Sequence, residues 1–218
     1  MAILANRTRN EFPGAIYHVT ARGNNGRKIF KSASDRGAFL ELVAVIAAKR
    51  GWIIHAYCLM GNHYHLLIET PEPDLGAGMR HLNGRYAIAF NARRGRKEHL
   101  FGERYHPELV RSDRHLLLAI RYIVSNPVVA GLCRRPEDWA WSSFRATLGF
   151  APTPPFLDAE TTLWYFAPDP GRAKELFRSF VGEGLPESAD AGEVGPTSRI
   201  RRQSATCDNA PAHSASAP

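Results

Sequence analysis

The order of strand-like and helix-like segments constrains the fold of this chain more than any other sequence feature. Residues 15–21 alternate and are rich in β-branched and aromatic types, which predicts a strand. A glycine- and asparagine-rich loop follows over residues 22–28. Ser34 or Asp35 is then suited to cap a helix that runs from residue 36 to about residue 50. The chain therefore begins with a strand, a loop and a helix.

A hairpin and a second helix are predicted next. Residues 52–59 and 63–70 are apolar runs joined by Met60-Gly61-Asn62, and so short a turn favours an antiparallel hairpin. Residues 75–93 carry apolar side chains at helical spacing, namely Leu75, Met79, Leu82, Tyr86 and Phe90.

The segments that follow predict one more strand and two short helices. Residues 103–110 have strand character. A helix is predicted over residues 115–124, because Pro127 disfavours helical backbone at Asn126. A separate short helix is predicted over residues 128–133.

The resulting β-α-β-β-α-β order is that of the split βαβ, or ferredoxin-like, arrangement. We therefore predict an α+β fold, an antiparallel sheet with helices on one face and the other face free. Three parts are predicted: a domain over residues 1–150, a helical extension over 151–184 and a disordered tail over 185–218. The tail is assigned from its richness in Ala, Ser, Pro, Gly and Glu.

The charge of the chain is concentrated in its first two thirds. Of 28 basic and 21 acidic residues, 21 basic and 10 acidic lie in residues 1–135. Arginine outnumbers lysine there, which suits bidentate contacts to phosphate. This asymmetry favours a nucleic-acid partner, although a solvated basic face would give the same count.

Several classes of protein are disfavoured. A membrane span is not expected, because no apolar run reaches about 18 residues. The first ten residues lack the apolar stretch of a secretory signal. Cys58, Cys133 and Cys207 lie far apart, so neither a disulfide framework nor a cysteine zinc site is expected. We expect a reduced, cytoplasmic protein.

The strongest chemical signal is His63-Tyr64-His65, which lies on a predicted strand. Alternate residues of a strand point to the same face, about 6.6 Å apart, so the two imidazoles can converge on one metal ion. Tyr64 would then face the core, together with Leu66. Two polar residues on a solvent-facing strand would show the same pattern, so the spacing alone leaves both interpretations open.

A second candidate group lies in R-Y-I-V-S-N-P. Tyr122 and Asn126 are four residues apart and share one helix face. A carboxamide oxygen is a hard ligand that suits Mg²⁺ or Mn²⁺. The alternative is a core tyrosine followed by a helix-capping asparagine.

These motifs resemble the single-tyrosine (HUH) transposases of the IS200-like family, and more narrowly its chromosomal branch, the REP-associated tyrosine transposases. The resemblance spans about residues 13–147, and its blocks occur in the family's order. They are Y-H-V-T-A-R-G-N-N, A-Y-C-L-M-G-N-H-Y-H, L-L-I-E-T-P, F-G-E-R-Y-H-P-E-L-V, R-Y-I-V-S-N-P-V-V-A-G-L and P-E-D-W-A-W-S-S-F. Gly61 stands where many relatives have proline, which we expect to loosen the turn without changing the chemistry.

The resemblance implies the ferredoxin-like fold and strand transfer on single-stranded DNA beside a hairpin. It makes Tyr122 the nucleophile, His63 and His65 the ligands of a divalent metal, Mg²⁺ or Mn²⁺, and Asn126 the third ligand. Attack on phosphorus would give a 5′-phosphotyrosine and a free 3′-OH, a step that a second 3′-OH can reverse.

Basic side chains are the expected contacts to DNA. A phenol has an ordinary pKa near 10, so the metal, Arg121 or Arg111 is expected to favour the phenolate. Two basic loops would hold phosphates of the hairpin or of a flanking tetranucleotide. Their residues are Arg22, Arg27, Lys28, Arg93, Arg94, Arg96 and Lys97.

The expected partner is therefore single-stranded DNA with a hairpin, in a bacterial, nucleoid-associated setting. No membrane and no small-molecule cofactor are expected, and a monomer is favoured over a dimer.

Three other functions stay open. The same histidines could serve a nuclease that uses water, or the protein could bind hairpins as a regulator without cutting them. A ferredoxin-like RNA-binding domain would need exposed aromatic residues, for which Tyr17 and Tyr105 are candidates. His106 is the one further histidine expected at the site. Structural or surface roles are expected for His18, His55, His81, His99 and His115.

Overall fold

The computed structural model describes residues 11–183 and residue 185. The predicted disordered tail, apart from Leu185, lies outside the described residues, as do the first ten residues.

One four-stranded antiparallel sheet organises the described chain, in the order β2-β3-β1-β4. Its strands are β1 (Ala15–Arg22), β2 (Ile53–Leu59), β3 (His63–Thr70) and β4 (His106–Leu109). Helices α1 (Ala33–Arg50) and α2 (Leu75–Ala92) form the two crossovers. The predicted α+β, ferredoxin-like fold is confirmed. Strand β4 is shorter than the predicted 103–110, and it is an edge strand that contains Pro107, which cannot donate to a ladder.

The first core lies between the sheet and the helices α1 and α2. Tyr64 and Leu66 of β3 are fully buried there, as the alternation predicts. The ring of Tyr64 packs 4.7 Å from that of Phe39 of α1, and its hydroxyl donates to Asn83 of α2. Strand β3 is thereby fixed in a register that sends its odd-numbered side chains to the opposite face.

The opposite face of the sheet is partly covered, so the prediction that it is free was wrong. Helix α3 (Asp113–Val129), with α4 (Phe144–Thr147), α5 (Ala159–Trp164) and α6 (Pro170–Gly182), forms a second core. Buried apolar side chains of the sheet point into this core: Ala56, Cys58 and Leu67. Such a surface is unfavourable in water, and α3 removes it from solvent.

Helix α3 runs through Pro127, whereas the sequence predicted a break at Asn126. The ring removes one backbone donor, yet Ala130 N–H still donates to Asn126 C=O at 2.9 Å. Burial of Ile123 and Val124 in the second core holds the last turns in place. Tyr122 and Asn126 therefore lie on one uninterrupted helix.

The N-terminus of α1 is capped by Ser32, not by the predicted Ser34 or Asp35. Ser32 accepts from the Asp35 N–H, while the Asp35 carboxylate accepts from the Ser32 N–H, which is a capping box. The same carboxylate, only 1% exposed, pairs with Arg93 and Arg94 at 3.3 and 2.6 Å. Burial alone would raise the pKa of Asp35, but its bonds to Lys31 N–H, Arg94 and Ser32 hold the pKa below the ordinary value.

We expect Asp35→Asn to lower the free energy of unfolding at pH 7 by about 1.5–3 kcal/mol, the usual contribution of hydrogen bonds to a charged group. Because the folded pKa is depressed, this contribution is complete above the unfolded pKa, near 3.9, and is lost as pH falls through the folded pKa. Urea unfolding of both proteins at pH 7 and pH 3 measures it. Asp169→Asn, at the exposed N-cap of α6, should leave stability unchanged.

Candidate active site

Strand β3 brings His63 and His65 together on the face that α3 approaches. Their ring centroids are 5.0 Å apart with planes at 82°. His65 is only 4% exposed, and His63 is half-buried. The two side chains share a face because they are two residues apart on one strand, as their spacing predicts.

A contact with the turn that precedes His63 orients its ring. Its Nδ1 lies 2.7 Å from the side-chain oxygen of Asn62, and an amide oxygen can only accept. The amide nitrogen of Asn62 in turn donates to Gly26 C=O at 3.1 Å, which orients the amide. His63 therefore carries its proton on Nδ1 and presents a lone pair at Nε2.

A contact with the neighbouring strand β1 orients the His65 ring. Its Nδ1 lies 3.0 Å from Nε2 of His18 on β1, and the two rings stack at 5.2 Å. Its Nε2 is buried and has no hydrogen-bond partner within the described part of the chain. An unpaired buried nitrogen is costly, and a ligand bound at this position would offset that cost.

Tyr122 of helix α3 packs against the imidazoles of His65 and His18. Its ring lies edge-on to His65 at 5.6 Å and to His18 at 5.8 Å. The side chain is 57% exposed, which is unusual for a tyrosine that contacts two buried rings. Its packing leaves the phenol open to a partner in solution.

Asn126 lies one turn further along α3 and reaches His63. Its side chain hydrogen-bonds the His63 imidazole, a contact that by itself raises the pKa of that histidine. Burial outweighs this effect, with help from the charge of Arg22, and lowers the pKa of His63 overall. The three predicted ligand positions thus meet at one place.

Burial favours the neutral form of the three imidazoles that form the histidine cluster, those of His18, His63 and His65. Burial, with smaller effects of His18 and His63, lowers the pKa of His65 to about 3. Burial also lowers the pKa of His18, and His115 and His106 add to this, although Glu108 opposes it. Neutral imidazole is the form that binds a metal ion.

Two imidazole nitrogens and a carboxamide oxygen form a donor set that fits Mg²⁺ or Mn²⁺ with water or phosphate oxygens completing the shell. Among residues 11–183, no three His, Cys, Asp or Glu side chains group into a metal site, so the set depends on Asn126. The unpaired Nε2 of His65 is the observation in this structure that supports the fit.

A groove of about 400 Å³ opens beside Tyr122, between β1, β4 and α3. His106 and Glu108 of β4 form one wall, and His115 faces them from the start of α3, with its Nε2 3.7 Å from Glu108. A second hollow, of about 390 Å³, shares Thr20 and His106 with it and is lined by Arg22 and Arg104. Because they share Thr20 and His106, the groove and the hollow adjoin one another.

The predicted basic contacts lie in different surroundings. Arg22 is exposed and is paired in register with His63, directly beside the site. Arg93 and Arg94 bind Asp35, and Arg94 also covers the Phe90 ring at 4.1 Å. Arg27 and Arg96 both pair with Glu98, whereas Lys28 and Lys97 are exposed. Only Arg22 of these lines the hollow beside the groove.

Arg121 does not serve the tyrosine as the sequence suggested. Its guanidinium lies 4.6 Å from the ring of Phe180 on α6, a cation–π contact that ties α6 to α3. Successive residues on a helix point about 100° apart, so Arg121 and Tyr122 face different neighbours. Arg111 is exposed at the start of the turn into α3.

Sequence reasoning missed His18 and His115. His18 is two residues before Thr20, and pairing of β1 with β3 sets it diagonally across from His65. His115 is seven residues before Tyr122, which places both on one helix face. The helix spacing could have indicated His115, but His18 required the strand pairing.

The ferredoxin-like sheet thus carries a pair of histidines beneath a tyrosine of helix α3. A family model described as "Transposase IS200 like" matches residues 12–126, more than half of the chain. The chain belongs to the IS200-like transposase family, which confirms the resemblance.

Known proteins similar to this chain include a curated relative and a solved structure. A REP-associated tyrosine transposase of Haemophilus influenzae is 29% identical over 100 residues, or 41% of this chain. The match spans only 57% of that relative's length. A solved structure of a REP-associated tyrosine transposase bound to a REP hairpin superposes with a TM-score of 0.57. It is 18% identical and covers 71% of this chain and 92% of its own, a likeness of fold.

No helix among the described residues is long and apolar enough to cross a membrane.

Proposed function

We propose that this protein cleaves and rejoins single-stranded DNA beside hairpins of the REP type, through a covalent link to Tyr122. The observation that carries the proposal is the exposed phenol of Tyr122 packed edge-on to His65, whose Nε2 is buried and unpaired. A tyrosine of the core would be buried, whereas Tyr122 is exposed and lies beside a buried nitrogen that has no partner among the described residues.

In the proposed reaction, the phenol of Tyr122 is the nucleophile and the 3′ oxygen of the DNA is the leaving group. The phenol oxygen attacks phosphorus in line, the P–O3′ bond breaks, and the 3′ oxygen leaves and takes up a proton as 3′-OH. The phenol proton passes to solvent, to which the 57% exposed side chain is open. The DNA on the 3′ side stays on the enzyme as a 5′-phosphotyrosine, and a second 3′-OH reverses the reaction without ATP.

His63, His65 and Asn126 would hold a divalent cation beside the phosphate. Such an ion would stabilise charge on the non-bridging and leaving oxygens. The chain itself supplies three neutral, preoriented donors, and the stacked His18 excludes water from the inner side of His65.

An adduct assay tests the proposal. The protein is incubated with hairpin DNA labelled at either the 5′ or the 3′ end, with Mg²⁺ or Mn²⁺, and run on a denaturing protein gel. We expect a shifted protein band that carries only the 3′-side label. Cut DNA without an adduct would identify water as the nucleophile, and binding without cutting would identify a regulator.

The RNA-binding alternative loses its basis. Tyr17 and Tyr105 are 4% and 7% exposed and lie in the first core, so neither ring is available to stack on a base.

Arg22 is the predicted basic residue best placed to contact DNA phosphate, because it borders both His63 and the hollow beside the groove. We expect Arg22→Ala to weaken hairpin binding and to reduce the slope of log K against log salt by about 0.7, one single-strand phosphate contact. Fluorescence anisotropy at several salt concentrations measures both. Arg172→Ala, which removes an exposed arginine paired with Glu175 on α6, should leave the slope unchanged. An unchanged slope for Arg22→Ala would place the DNA elsewhere.

A further inference from the structure

The two candidate ligand histidines are each held at Nδ1 by a different part of the chain. His65 Nδ1 lies 3.0 Å from His18 Nε2, and His63 Nδ1 lies 2.7 Å from the Asn62 side-chain oxygen. Neither His18 nor Asn62 belongs to the ligand set. Because each contact occupies Nδ1, the Nε2 atom of each histidine is the one that remains for the site.

The direction of the Asn62 contact follows from its other bond. Gly26 C=O accepts only, so the Asn62 atom 3.1 Å from it is the amide nitrogen, and the atom facing His63 is the oxygen. His63 must then donate from Nδ1. Its Nε2 carries a lone pair.

The direction of the His18 contact follows from burial. If His18 donated, His65 would carry its proton on Nε2, where the structure offers no acceptor within the described residues. A buried N–H without an acceptor costs about 1–3 kcal/mol. If His65 donates from Nδ1 instead, its Nε2 is a lone pair that a cation can use. Only this arrangement agrees with cation binding.

We propose that His18 and Asn62 are positioning residues that fix His65 and His63 as Nδ1–H tautomers, so that both present Nε2 to one divalent cation. The part of this proposal that concerns the cation rests on the proposed function. The tautomers themselves can be observed without any metal.

The proposal gives two neighbours of the site a physical role. His18 comes from the central strand β1, and its ring is 9% exposed and stacked on His65. Asn62 comes from the β2–β3 turn and is tied to the loop that ends β1 through Gly26. Strand β1 and the β2–β3 turn thus orient the two ligands before any cation binds. Contacts of this kind to a metal ligand typically change metal affinity 10–100-fold.

The first test uses the metal-free, full-length protein. Two-bond ¹H–¹⁵N spectra of the histidine rings at pH 7.5 report which nitrogen carries the proton. We expect His63 and His65 to show a protonated Nδ1 and a lone-pair Nε2. The opposite tautomer at His65 would overturn the role of His18, and the opposite tautomer at His63 would overturn that of Asn62.

The second test titrates Mn²⁺ into the protein without DNA, by calorimetry or by the loss of the free Mn²⁺ EPR signal. His18→Phe keeps a stacked ring but removes the acceptor, and we expect 10–100-fold weaker binding. His18→Gln keeps an acceptor and should stay within a few-fold of the wild type. His99→Phe, an exposed histidine away from the site, is the matched control.

The outcomes separate this proposal from the proposed function. Equal affinities for wild type and His18→Phe would overturn the role of His18 while leaving the enzyme's chemistry intact. If the wild type itself binds no Mn²⁺, the metal dependence fails, and the ring spectra still decide the tautomers. Should His18→Phe not fold, the Gln variant and the wild-type spectra carry the test.

Discussion

Tyr122→Phe is expected to abolish the covalent DNA adduct and to lower cleavage by more than about 10⁴-fold, as removal of a nucleophile does in other covalent enzymes. The substitution removes one oxygen and keeps the ring that meets His18 and His65 edge-on. Because the side chain is 57% exposed, folding stability should be unchanged. Hairpin binding should also persist, since phosphate contacts come from other residues.

Tyr165→Phe is the matched control. Tyr165 lies just after α5, where its hydroxyl donates to the Asp113 carboxylate and its ring packs against Trp164. Adduct yield on the denaturing gel and cleavage rates with end-labelled DNA measure both variants. Cleavage retained by Tyr122→Phe would show that water or another residue attacks phosphorus. Loss of binding together with cleavage would instead assign the tyrosine to the DNA interface.

The parts of the site that follow from local periodicity could be predicted from the sequence. Two-residue spacing places His63 and His65 on one strand face, and four-residue spacing places Tyr122 and Asn126 on one helix face. The element order gave the sheet topology, since split βαβ units close in only one common way. These inferences depend on residue spacing and element order along the chain, and not on contacts between distant segments.

The parts that failed depend on contacts between distant segments. His18 reaches His65 only through the pairing of β1 with β3. The sequence places Arg121 next to Tyr122, which makes it one of three candidates, with Arg111 and the metal, to favour the phenolate. Its contact with the Phe180 ring depends on where α6 packs. Pro127 was expected to end α3, but burial of that helix against the sheet outweighs the lost hydrogen bond.

The buried Asp35 illustrates the same limit for charges. Arg93 and Arg94 look like a free basic loop in the sequence, yet they serve first as partners of a carboxylate near the start of α1. A charge run therefore indicates a nucleic-acid surface only after its internal pairs are known. Arg22, which has no such acidic neighbour in register, is the stronger candidate for that reason.

His63→Ala and His65→Ala are expected to lower metal-dependent cleavage at least about 100-fold, more than the loss of an outer-shell partner typically does. His63→Ala is the cleaner variant, because its half-buried side chain leaves a smaller cavity than that of His65. Its Tm should stay within a few degrees of the wild type. Mn²⁺ titration, thermal melts and end-labelled cleavage assays on each variant measure the three effects separately.

His55→Ala is the control for folding. His55 is as buried as His65, but its Nε2 pairs with Glu69 at 2.9 Å, four residues beyond His65 along β3. We expect it to lower Tm as much as His65→Ala while keeping metal affinity and cleavage. If His63→Ala kept full metal-dependent cleavage, the histidine pair would be a structural feature of β3, and the cation would have to bind elsewhere. If all three variants lost activity in proportion to Tm, the loss would come from unfolding alone, so metal affinity of the folded fraction is the decisive comparison.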